Sequence, residues 1–131
     1  MAKVDVVYDE VQHCTAVRVK NNNKLLMDCP YTGKGEEFSP GDALGASVAG
    51  CMIIAIGAFA MRHDINIKNT HIEVETKMGP KHVEEINLVF NMPENYSEKW
   101  KKAIEKNGEV CPIKHSFIPD VKVNVTYKYP Q

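Results

Sequence analysis

Four cysteines, at positions 14, 29, 51 and 111, are the residues of this chain best suited to nucleophilic chemistry. A thiol reacts as its thiolate, so its local field decides whether it is a reagent or packing. Cys51 stands inside an uncharged run, Ala49-Gly50-Cys51-Met52. Apolar burial raises a thiol pKa, and on local grounds Cys51 reads first as a small core residue. Cys111 has the better local setting, because it precedes Pro112 at the start of a short helical turn, where free backbone N–H groups favour a thiolate. Lys114 and His115 follow within a turn, with His115 four residues on and on the same helical face. The equal alternative is that Cys111 caps a turn and His115 is solvated. Cys14, beside His13 in a strand, reads as packing, and Cys29, before Pro30, as incidental. No ligand spacing supports a metal site from His13, Cys14, Cys111 and His115, and no phosphate loop, dinucleotide fingerprint or nucleophile elbow occurs.

The elements that must position these thiols follow from periodicity. Lys3 to Asp9 and His13 to Lys20 alternate as strands, Asn21-Asn22-Asn23 is a turn, and Leu25 to Met27 is a short third strand. A loop with Pro30, Gly33 and Gly35 runs from Asp28 to Glu37. Ser39 is a helix cap, Pro40 suits the first helical position, and Asp42 complements the helix dipole. From Ala43 to Met61 no residue is charged, which forces a choice between a membrane span and a buried helix. Gly45, Gly50, Gly57, Ser47 and many alanines dilute the run, and no basic cluster flanks it, so a buried central helix is expected. A helix apolar on all faces is hard to cover in so short a chain, and dimerisation would cover it. Next come a hairpin, His71 to Met78 and His82 to Met92, and a charged helix from Ser97 to about Asn107. A short helical turn from Cys111 to Phe117 and a closing strand, Val121 to Tyr127, complete the chain. The class is α+β.

Composition bounds the function. The 131 residues are one domain's worth, with 44% hydrophobic and 25% charged residues, an ordinary globular mix. Sixteen Lys plus Arg against seventeen Asp plus Glu leave a net charge of −1, which argues against nucleic acid or an anionic membrane as partner. The widely spaced cysteines and the absence of a signal-like N-terminal segment point to a reduced, cytoplasmic setting.

Ser39-Pro40 opening a small-residue helix, with Ala49-Gly50-Cys51 following, resembles the OsmC/Ohr family of thiol-dependent peroxidases. Cys111-Pro112-Ile113, sixty residues beyond Cys51, resembles the family's second Cys-Pro-hydrophobic element, and Leu26-Met27-Asp28 is also family-like. The resemblance spans nearly the whole chain, read as a single OsmC-like domain over residues 1–131. It implies an intertwined homodimer with each long helix buried at the dimer core. It also implies that Cys51 is the peroxidatic thiol, attacking an organic hydroperoxide or hydrogen peroxide, and that Cys111 resolves the sulfenate to a disulfide. An external dithiol then reduces the pair, and no cofactor or metal is implied. In the hydroperoxide reductases proper, an arginine and a glutamate form a salt bridge over the thiolate. Here Gly41 follows the helix-opening proline, Asp42 is the nearest acid, and Arg18 is the sole arginine of the N-terminal strands. Arg18 is thus the candidate thiolate partner and Asp42 its salt-bridge partner, and the departures place the chain in the broader OsmC-like group. The rival from another class is a non-catalytic OsmC-like protein that binds a small apolar or thiol ligand at the dimer cleft. A KH-like RNA-binding module fits the element order but lacks a GxxG loop and a basic surplus.

Overall fold

The computed structural model describes residues 2–131, which divide into two compact units, up to Ala43 and from Leu44 onward. In the first unit, β1 (Val4–Tyr8), β2 (His13–Arg18) and β3 (Lys24–Asp28) form an antiparallel meander in the order β1-β2-β3. Strand β2 stops two residues before the expected Lys20. There the chain turns, Arg18 N–H donating to Asn23 O and Asn22 N–H to Arg18 O, with Asn22 in the left-handed region at φ 61°. Asparagine tolerates that conformation better than most residues, which is why the Asn triplet marks the turn. Asp28 ends β3 as a buried carboxylate and accepts hydrogen bonds from the backbone N–H groups of Glu36 (3.0 Å) and Glu37 (3.3 Å). The loop between them therefore folds back on the strand rather than wandering.

Helix α1 (Pro40–Arg62) begins where the sequence puts its cap. Ser39 Oγ accepts from Asp42 N–H at 3.0 Å, and Asp42 Oδ2 accepts from Ser39 N–H at 3.1 Å. This reciprocal pair is a capping box with aspartate in place of the usual glutamate. The helix has the length and composition of a membrane span. Within the second unit, however, Val48, Met52, Ile56 and Phe59 are buried in one core with the sheet residues Ile86, Leu88 and Phe90. Each such side chain contributes roughly 1.5–3 kcal/mol on burial. The opposite stripe, with Ser47, Ile54, Ala58 and Met61, is exposed.

That sheet is β4 (His71–Met78), β5 (Val83–Asn91) and β6 (Lys122–Lys128), in the order β4-β5-β6. Strands β4 and β5 are the expected hairpin, with Gly79 N–H donating to His82 O across the turn. Strand β6 runs parallel to β5, so the chain between them must cross over, and helix α2 (Glu98–Gly108) is that crossover. Ser97 caps α2 by accepting from Trp100 N–H, as its type and place predict. Ile104 is the fully buried apolar anchor of this otherwise charged helix.

Both helices approach the sheet through glycine. A Cβ on Gly45 of α1 would lie 2.5 Å from Thr76 Oγ1 and 2.8 Å from Val74 Cγ1, and one on Gly108 of α2 would strike the Tyr127 hydroxyl. Tyr127 cannot easily step aside, since it is stacked on buried Phe90 with ring centroids 4.8 Å apart. We expect Gly45→Ala and Gly108→Ala each to destabilise the protein by about 1–3 kcal/mol through overpacking. Thermal unfolding of the two variants beside the parent checks this, and an unchanged midpoint for both would refute the close approach.

Candidate active site

Cys51 lies near the middle of α1, half-buried and packed against the core. Cys111 lies three residues beyond the end of α2 and is fully buried. The fold brings the two thiols, sixty residues apart in sequence, to the same core within one unit, near enough for Cys51 to perturb the Cys111 thiol. The placement of Cys111 is over-determined. Its N–H donates to Gly108 O at 3.5 Å, Gly108 is buried beneath Tyr127, and the Cys111 sulfur accepts from Lys114 N–H at 3.3 Å.

The electrostatics of Cys111 correct the local reading. Burial, together with the neighbouring Cys51 thiol, pushes the Cys111 thiol above its ordinary pKa, and the backbone N–H groups of Lys114 and Ile113 lower it by less. The expected turn is a short 3-10 segment, Lys114–Ser116, rather than an α-helical turn, so few N–H groups converge on the sulfur. His115 does not turn toward Cys111. Its Nε2–H donates to Glu109 O at 2.6 Å, and the Lys114 ammonium pairs with the Glu109 carboxylate. Cys111 is therefore a protonated, enclosed thiol.

The other expected residues sit as follows. Arg18 is the exposed last residue of β2, and no ion pair involves it or Asp42 among the described residues. The Asp42 carboxylate is engaged in the α1 cap. Cys14 pairs across the sheet with Met27, and His13 forms a 2.6 Å contact with Asp9 Oδ2. No group of His, Cys, Asp and Glu among the described residues has the geometry of a metal site.

Cys29 is the residue that sequence reasoning undervalued. Its sulfur accepts from Thr32 N–H at 3.5 Å, and the Thr32 hydrogen bonds, with smaller help from the N–H groups of Tyr31 and Gly33, lower its pKa to about 7. The signal was available in Cys29-Pro30-Tyr31-Thr32-Gly33, a tight turn that folds its N–H groups back on the first side chain.

Two three-stranded sheets with two helices, and two free cysteines brought to one core from distant elements, define an α+β protein with neighbouring thiols. The chain belongs to the OsmC-like protein family, whose model matches residues 33–126. It is similar to a solved structure from Psychrobacter arcticus, described as an osmotic stress induced and detoxification response protein. That match has 31% identity and a TM-score of 0.92, covering 98% of this chain and 96% of the other. An OsmC-like protein of Mycoplasma pneumoniae matches with 20% identity and a TM-score of 0.81 over 100% of this chain and 98% of the other. The organic hydroperoxide resistance protein OhrB of Bacillus subtilis matches with 18% identity and a TM-score of 0.73, covering 98% of each chain. A search of the curated proteins returns no match.

Cys29 and Cys111 should part in their reactivity. A lowered pKa means that thiolate is present above about 7, so Cys29 should be alkylated by iodoacetamide with a midpoint near neutrality. Cys111 should stay unmodified across the same range until the protein is denatured. Peptide mapping of pulse-labelled protein reads both, and equal labelling of the two would contradict this site description.

Proposed function

We propose that the protein is a thiol-dependent peroxidase that reduces organic hydroperoxides, with hydrogen peroxide as a second substrate, through Cys51 and Cys111. The observation that carries this reading is that the two thiols meet at one core, near enough for Cys51 to perturb Cys111. The Cys51 thiolate attacks the distal oxygen of the hydroperoxide, the O–O bond breaks, and the alkoxide takes a proton to leave as alcohol. Cys51 becomes a sulfenic acid. The Cys111 sulfur then attacks the Cys51 sulfur, the S–O bond breaks, and the departing hydroxide takes the Cys111 thiol proton as water. An external dithiol restores both thiols, and the cycle suits a cytoplasmic setting in which thiols are kept reduced.

A protonated Cys111 suits the resolving role, since it does not compete with Cys51 for the oxidant. Structural neighbours named for hydroperoxide resistance support the substrate class.

The working species in this reading is a homodimer. Among residues 2–43 only Asp28 and Gly41 are buried, while Val4, Val6, Val7 and Tyr8 of β1 are all more than half exposed. On α1, Ile54 is 73% and Met61 86% exposed. A second copy of the chain would cover these surfaces.

Peroxide consumption by variants tests the chemistry. Cys51→Ser should abolish turnover, and Cys111→Ser should allow one equivalent to react and then stop. Full activity in Cys51→Ser would overturn the assignment, and inert thiols in the intact protein would favour a ligand-binding role. For the dimer, Ile54→Lys changes nothing buried within one chain, so a lone protomer would tolerate it. We expect the parent to elute as a dimer by light scattering and Ile54→Lys to shift toward monomer, and a monomeric parent would refute the assembly.

A further inference from the structure

We propose that the Glu109–Lys114 ion pair is a clasp that positions Cys111 for resolution, so that it sets how a Cys51 sulfenic acid divides between disulfide and over-oxidation. This rests on the peroxidase reading above. Three contacts close the segment 109–116 on itself. The Lys114 ammonium pairs with the Glu109 carboxylate, the His115 ring N–H donates to Glu109 O at 2.6 Å, and the Lys114 backbone N–H donates to Cys111 Sγ at 3.3 Å. Lysine side chains ordinarily trail in solvent, yet that of Lys114 is only 16% exposed. The residue whose N–H holds the Cys111 sulfur is therefore the one whose side chain is tied down. At the other end of the segment, Gly108 is fixed under Tyr127.

Two reactions compete for the sulfenic acid. In one, the Cys111 sulfur displaces the sulfenic oxygen as water and the disulfide forms. In the other, a second hydroperoxide transfers an oxygen to Cys51, giving a sulfinic acid and an alcohol. The first is intramolecular and depends on how well Cys111 is held, while the second rises with peroxide concentration. Releasing the clasp lets residues 109–116 sample other conformations and lowers the effective concentration of the Cys111 thiol. The first attack on peroxide belongs to Cys51, which the clasp does not touch. Glu109 and Lys114 are thus positioning residues, acting through Cys111.

The test uses the full chain with Glu109→Gln, Lys114→Met and Lys114→Arg beside the parent. Each is titrated with increasing cumene hydroperoxide, and disulfide and sulfinate are quantified by intact-mass and peptide mapping, with the melting temperature and single-turnover rate of Cys51 oxidation recorded for each. In Glu109→Gln and Lys114→Met the peroxide concentration giving half over-oxidation should fall about tenfold. Lys114→Arg, which keeps the ion pair, should restore the parent's partition. If Lys114→Met does not fold, Glu109→Gln carries the test, since its side chain is half exposed and isosteric. A parent-like partition in both clasp variants overturns the proposal and leaves the peroxidase reading standing. Failure of the parent to form the Cys51–Cys111 disulfide overturns both. Equal slowing of the first oxidation step would mean that the pair acts on Cys51 directly, which also overturns the clasp.

Discussion

The proximity of the Cys51 and Cys111 thiols depends on holding two backbones close to one sheet. Neither side chain is long, so α1 and the end of α2 must each lie close against the sheet. Glycine does this in both places. Gly45 lets α1 settle onto Thr76 and Val74, and Gly108 lets the end of α2 settle onto Tyr127. The hydroxyls of Thr76 and Tyr127 are buried without hydrogen-bond partners. An unpaired buried hydroxyl costs about 1–3 kcal/mol, a cost the close packing must offset. The apolar interior built from Met52, Ile56, Ile86, Leu88 and Phe90 then holds the arrangement.

Electrostatics divides the labour between thiols. Cys111 is kept protonated by burial and by its neighbour Cys51, despite the backbone N–H groups of Lys114 and Ile113. Cys29, in a turn open to solvent, gathers several N–H groups and becomes the acidic thiol of the chain. The same donor type therefore has opposite outcomes in two settings. What decides is whether desolvation outweighs the hydrogen bonds.

Much of the fold was legible because its signals are local. The Asn21–Asn23 turn, the Ser39 and Ser97 caps, the Gly79-Pro80 hairpin turn and the period-two strands each depend on neighbours in sequence. The small-residue helix with Cys51, and Cys111-Pro112 sixty residues on, pointed to the OsmC-like family before any geometry. The thiol fields were not legible, because they are tertiary. Cys111 at a helix start predicts a favoured thiolate, and only the packing of α1 against it reverses the sign. His115 sits four residues from Cys111, yet it turns to the Glu109 carbonyl, since the segment is a 3-10 turn with different side-chain directions. Asp42 was read for its charge, and its carboxylate proves to be engaged by the Ser39 N–H.

Whether Cys51 and Cys111 act as one redox pair is tested most directly by mass spectrometry of the reduced protein after one equivalent of cumene hydroperoxide. The expected result is a loss of about two mass units, mapped to a single Cys51–Cys111 disulfide. Unchanged thiols at both positions, or a disulfide linking any other pair, would contradict it.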